Sequence, residues 1–155
     1  MPLPPEFVAD CPYGPGGILL DDITRIDRET STIVATMPTH PDMPITREQR
    51  AHPERHPAHV SGGLIIHVTG ILGFAHAYFL HDIRHADGWI GYGTHIHDAR
   101  FKKLGRIGPP ITMQCMQTMK RMIKGAIIGR YKFRFEQDGG LIYEGDQSAL
   151  FTRVT

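Results

Sequence analysis

The stretch HPERHPAHVSGGLIIH, residues 52 to 67, gathers four histidines, His52, His56, His59 and His67, around a Ser-Gly-Gly step. Imidazole is the side chain whose ordinary titration lies near neutrality, so it takes and returns protons at physiological pH. Gly62 and Gly63 bring a second property. Without side chains they let a ligand touch the backbone. Both features stand at the mouth of Gly63 to Leu80, 18 residues without a formal charge. Proton-handling groups at the entrance of an apolar segment are the equipment of a site. Blander readings exist for each part. The loop histidines suit a solvated, proline-stiffened loop, His67 a satisfied core position, and Ser-Gly-Gly a plain helix start. His95 and His97, at i and i+2, share a strand face and are a candidate metal pair. No acidic or cysteine partner is evident beside them, so no metal is expected.

The elements that must position these groups follow from the apolar pattern. Ile18 to Asp27 and Thr32 to Met37 read as strands joined by the polar turn at Arg28-Glu29. Pro38 to Val60 reads as a long loop holding Pro38, Pro41, Pro44, Pro53 and Pro57. A loop of that length is typically functional or disordered. Ser61 is an N-cap type, and a helix is expected from there to about Leu80. Gly70, Gly73 and Ala77 form a narrow small-residue face on it. Trp89 to Phe101 alternates as a strand, with Trp89, Gly91, Gly93, His95, His97, Ala99 and Phe101 on one face. Tyr131, Phe133 and Phe135 alternate with Lys132, Arg134 and Glu136, again a strand. Asp138-Gly139-Gly140 is a hairpin turn and Leu141 to Arg153 the return strand. In ITMQCMQTMKRMIKG the pattern supports two readings. Met113, Met116, Met119 and Met122 recur as in a helix, while Ile111, Met113 and Cys115 alternate as in a strand. One helix wrapped by an antiparallel sheet is the economical packing, an α+β fold.

Composition narrows the function classes. The chain has 155 residues, 41% hydrophobic and 21% charged, with a formal net charge of +1. That is enough for one domain with a real core, expected over residues 1–155. No basic stripe points to nucleic acid. The apolar helix approaches the length of a membrane span, but His67, His76, Thr69, Gly70 and Gly73 interrupt it and no basic flank follows. It reads as a buried helix, with no membrane partner. Two lone cysteines, Cys11 and Cys115, and no signal-peptide pattern at the start give a cytoplasmic expectation.

Three stretches carry a resemblance to a known family. CPYGPGGILLDDITRID resembles an opening motif Pro-His-x-Tyr-Pro-hydrophobic-Leu-Leu-x-Asp-Arg, with Pro12, Leu19 and Asp21 in register. HPERHPAHVSGGLIIH resembles Gly-His-Phe-Pro-x-x-Pro-x-x-Pro-Gly-x-Leu-hydrophobic-hydrophobic-Glu/Asp. THIHDARFKK resembles a strand reading Asn-Ala-Arg-Phe-Lys. Together with the tail KRMIKGAIIGRYKFRFEQDGGLIYEGDQSALF they are similar to the hotdog fold and, within it, to the 3-hydroxyacyl-acyl-carrier-protein dehydratases. The resemblance covers most of the chain and favours the strand reading of the methionine stretch. Three departures accompany it. The acidic helix residue of the family falls on His67, the proline before the helix glycine is Ser61, and the loop aligns only with a gap. The gapped match puts the catalytic histidine on His52, with His56 as second choice.

What the resemblance implies is chemistry on acyl thioesters carried by coenzyme A or acyl carrier protein, with no cofactor. A loop histidine, His52 or His56, would take the proton beside the thioester carbonyl. The N–H groups of Gly62 and Gly63 would hold the carbonyl oxygen. His67 would stand where the family places its acid. Three outcomes follow: dehydration or hydration of a 3-hydroxyacyl chain, hydrolysis of the thioester, or a pocket that only binds acyl chains. Arg100, Lys102 and Lys103 are candidates for coenzyme A phosphates or an acidic carrier, or else simply a charged strand edge. The family's assembly implies a homodimer or higher even oligomer, with loop histidines of one chain facing His67 of the other.

Overall fold

The computed structural model describes residues 1–154. Two short helices open the chain, α1 (Pro5–Asp10) and α2 (Pro15–Ile18), followed by β1 (Asp22–Asp27) and β2 (Thr32–Met37). A 3-10 turn at Thr46–Glu48 and the short β3 (His59–Val60) interrupt the long loop. Then come α3 (Gly62–His81), β4 (Trp89–Phe101), the short β5 (Gly105–Arg106), β6 (Ile111–Ile123), β7 (Ala126–Gln137) and β8 (Gly140–Arg153). The methionine stretch is thus a strand. Six strands form one sheet in the order β1-β2-β6-β7-β8-β4, and β3 pairs with β5 apart from it. Every pairing is antiparallel.

The sheet curls around α3. Ser61 caps that helix, its Oγ accepting from the Leu64 N–H at 3.1 Å. At the other end Asp82 turns left-handed, and the Arg28 guanidinium donates to the carbonyls of Phe79 and Leu80. Both devices satisfy groups that a helix end leaves unpaired. Leu64, Ile65, Val68, Ile71, Leu72 and Ala75 are buried against the sheet. From the sheet side Ile33, Met113, Cys115 and Phe135 meet them with no exposed surface. The apolar helix is therefore the core helix of a curled sheet.

Two details of the pattern reading are corrected. The first strand begins at Asp22, because Pro15 starts a short helix that ends at Ile18 and Leu19 is left-handed, at φ 65°. Ile18 and Leu20 look like strand residues only because both are buried, at 2% and 6% exposure. In β4, register shifts at Gly93/His95 and Ile96/Asp98 break the alternation, so one face does not run the length of the strand. His95 and His97 nonetheless stay together, their rings stacked 5.6 Å apart.

A buried polar knot lies near the end of α3. The His76 Nε2–H donates to the Ser31 carbonyl at 2.8 Å, and His76 Nδ1 is buried without a partner. The His81 ring lies 5.3 Å away and Lys120 reaches His81 at 3.4 Å. Burial, reinforced by these neighbouring cations, pushes the His76 pKa from 6.5 down to about 4. A group held neutral by folding binds more protons when unfolded, so stability falls as pH drops from 6.5 towards 4. The expected loss is on the order of 3 kcal/mol. Urea unfolding at both ends of that window should show it in the wild type and a clearly smaller loss in His76→Phe. Equal losses in the two proteins would reject this account.

Candidate active site

A cavity of about 460 Å³ lies between α3, β4, β7 and β8. That volume suits a small-molecule site. Ile66, Gly70, Gly73 and Phe74 supply its helix wall, and Tyr131, Phe133 and Phe151 its sheet wall. Glycine shapes one wall of it. A Cβ on Gly91 would lie 2.5 Å from the Phe151 ring, so only glycine lets that ring pack there.

His67 and Tyr13 stand in the same cavity. The His67 Nε2 lies 2.7 Å from the Gly17 carbonyl oxygen. A carbonyl only accepts, so the proton sits on Nε2, and Nδ1 has no hydrogen-bond partner among the described residues. The Tyr13 ring meets the His67 ring edge-on at 4.8 Å. Both contacts come from the N-terminal arm, which docks through Phe7, 1% exposed and packed on Tyr78 and Phe79. Neither Tyr13 nor the Gly17 carbonyl was singled out from sequence. The carbonyl had no signal to find, because every residue has one.

The loop histidines form a separate group. His52 and His56 bridge backbone to backbone, at 2.6 and 3.0 Å, and the rings of His56 and His59 stand 5.1 Å apart. His52 Nδ1 accepts from the N–H groups of Glu54 and Arg55. His59 Nδ1 donates to the Pro57 carbonyl at 2.8 Å. Among the described residues none of the three lines the cavity that holds His67. Gly62 and Gly63 open α3, and among the described residues no backbone acceptor takes their N–H groups. The Phe101 ring lies over Gly62, where a Cβ would come within 3.2 Å of it. That contact ties the end of β4 to the start of α3. Lys102 and Lys103 follow directly, exposed and in no ion pair among the described residues, whereas Arg100 pairs with Asp98 at 2.9 Å. No group of three or more metal-ligating side chains occurs among the described residues.

No protein-family model and no curated protein matches the sequence. Solved structures do match the fold. The dehydratase heterocomplex ApeI:P from Xenorhabdus doucetiae aligns with TM-score 0.66 at 12% identity, over 100% of this chain and 92% of that one. A mutant thioesterase from Pseudomonas aeruginosa gives TM-score 0.63 at 13% identity, over 96% and 93% of the two chains. This chain adopts the hotdog fold. A Streptococcus pneumoniae protein described as a hypothetical thioesterase, solved with coenzyme A, shares it at TM-score 0.58 and 10% identity, over 85% of each chain. At such identities the likeness is one of fold. In this hotdog domain the core helix carries His67 in the cavity wall.

Proposed function

We propose that this hotdog domain acts on acyl thioesters, and that its reaction is dehydration of 3-hydroxyacyl chains or the reverse hydration. One observation carries the reading: His67 is pinned through Nε2–H to the Gly17 carbonyl with Nδ1 left open, inside a cavity with aromatic walls. In place of the loop histidine expected from the sequence, His67 Nδ1 takes the proton from the carbon beside the thioester carbonyl, because His67 and not His52 or His56 lines the cavity. The Tyr13 hydroxyl, on the ring packed against His67, is the donor for the departing hydroxyl. Lys102 and Lys103, exposed, in no ion pair among the described residues and following Phe101, whose ring lies over Gly62, suit the phosphates of a coenzyme A or carrier arm.

A second copy of the chain completes this reading. Strand β4 is a 13-residue sheet edge with Ile90, Tyr92 and Ile96 exposed at 41%, 52% and 53%. An edge of that length pairs readily with another strand. Joining two β4 edges covers the open helix face at Gly70 and Gly73 and brings His52 or His56, with Gly62 and Gly63, from the partner towards His67. Light scattering is expected to give a particle of twice the 17.4 kDa chain mass. A monomer at micromolar concentration would remove the partner's loop from the site.

Hydrolysis is the second reading, and the same imidazole favours it. A neutral base suffices to activate water, and a thiolate leaves without the acid that a departing hydroxide needs. One pair of assays separates the reactions. With 3-hydroxyacyl and enoyl thioesters, a change in enoyl absorbance without thiol release means dehydration or hydration. Thiol release means hydrolysis. Silence in both, with ligand still bound, leaves an acyl-chain binder and rejects catalysis.

A further inference from the structure

The hairpin between β6 and β7 ends in an exposed tip. Lys120, Arg121, Met122, Ile123, Lys124 and Gly125 are all exposed, Met122 at 63% and Ile123 at 46%. The tip stands clear of its neighbours, because β2 pairs with β6 only as far as Met116 and β8 with β7 only as far as Ile127. Its turn is tight. Lys124 and Gly125 both have positive φ, at 49° and 80°, as a two-residue hairpin turn of this kind requires. Lys120, Arg121 and Lys124 form no ion pair with a carboxylate among the described residues. None of the six lines the cavity that holds His67.

Strand geometry sorts these side chains by face. Met122 stands opposite Ile127, and Lys120 opposite Gly129. Ile127 is 6% exposed and belongs to the core, so Met122 and Lys120 are on the sheet face that holds α3. Lys120 Nζ accordingly lies 3.4 Å from His81 Nδ1, at the end of that helix. Successive strand residues face opposite ways, so Arg121 and Ile123 project from the other face. Each face therefore carries one large apolar side chain at its outer end and one cation two residues, about 7 Å, further in. Charge on a free strand edge guards against aggregation, and that accounts for Lys120 and Arg121. It does not account for Met122 and Ile123, which make such an edge more adhesive. A folded partner protein would cover one face and leave the other apolar side chain in water. A lipid surface receives a tip from both sides.

We propose that this hairpin tip docks the protein on an anionic lipid surface, with Met122 and Ile123 entering the boundary between headgroups and acyl chains and Lys120, Arg121 and Lys124 meeting the lipid phosphates. Interfacial segments bury their apolar groups about 5–10 Å deep, which matches the spacing between apolar and cationic positions here. Each cation near an anionic bilayer strengthens binding about fivefold, and apolar burial adds to it. Stable attachment takes two such signals together. The contact asks nothing of α3, which the sheet wraps. It departs from the expectation of no membrane partner, which rests on that helix and not on the hairpin. It is also independent of the acyl-thioester reading of the cavity.

The test is co-sedimentation of the full chain with vesicles of phosphatidylcholine and phosphatidylserine, and with vesicles of phosphatidylcholine alone, at low and high salt. The wild type should bind the anionic vesicles at least about tenfold more tightly than the neutral ones, and lose that preference at high salt. Met122→Ser combined with Ile123→Thr should weaken binding to the anionic vesicles by about tenfold or more. Arg121→Gln combined with Lys124→Asn should weaken it by a similar factor through charge. Asparagine accepts the left-handed backbone at position 124, so the turn survives. All four positions are exposed, and thermal melts matching the wild type should show both variants folded. A wild type that stays in solution with both kinds of vesicle overturns the proposal. So does full binding by the apolar pair, which would reduce the contact to charge alone, as an acidic soluble partner would use it. Full binding by the charge pair would place the membrane contact elsewhere on the molecule and overturn it too.

Discussion

Replacing His67 with glutamine is expected to lower kcat/KM on the preferred acyl thioester by roughly 10²–10⁴-fold, the usual contribution of a positioned general base. The substitution isolates the proton-transfer role. Glutamine can still offer an N–H to the Gly17 carbonyl, which now accepts from His67 Nε2 at 2.7 Å. It has no titrating nitrogen to replace Nδ1. The fold should tolerate the change, because His67 is half-buried in the cavity wall and is not part of the sealed core. Steady-state kinetics beside a thermal melt checks both statements. An unchanged melting temperature with activity within tenfold of wild type would remove His67 from the chemistry.

Phe7→Ala should destabilise the protein by about 3–5 kcal/mol, the range for deleting a buried phenylalanine ring. The ring is 1% exposed and meets Tyr78 at 5.2 Å and Phe79 at 5.4 Å, on the last turns of the core helix. It is one anchor of the N-terminal arm, beside Asp10, whose carboxylate accepts from the N–H groups of His85 and Ala86. The same arm carries Tyr13 and Gly17 to His67, so the variant should also lose activity while still folded. Urea unfolding measures the first effect and kinetics below the unfolding transition the second. A loss under 1 kcal/mol, or full activity in the folded variant, would separate the arm from the site.

The two effects differ in how far they could be read in advance. His67 stood out in a linear string because it closes the run of four histidines at the start of the uncharged helical stretch, and the resemblance set it on the position of the family's acidic helix residue. Phe7 lay in a segment with no regular pattern. An isolated aromatic after two prolines says nothing about which surface it will meet. Gln147 is a middle case. Gly145 in the interior of a strand signals a close approach, and the structure shows that Tyr143 and Gln147 make it.

Strand boundaries behaved the same way. β4 was legible to its last residue, because thirteen alternating positions leave little freedom. The breaks inside it were not, since a register shift depends on the partner strand β8. Ile18 and Leu20 were drawn into β1 because burial and strand character look alike in one dimension.

What the amino-acid order determined by itself was local: the cap at Ser61, the uncharged run that must be buried, the alternation of the strands, and the concentration of imidazoles ahead of the helix. Those properties depend on neighbours within a few residues, where backbone geometry and solvation act directly. Tertiary structure alone decided which nitrogen of His67 bears the proton, which end of the Gln147 amide faces Thr69, and that an arm from the chain's start packs on the His67 ring. Those choices are made by acceptors 50 and 78 residues away in sequence, which only the folded chain brings within hydrogen-bond reach.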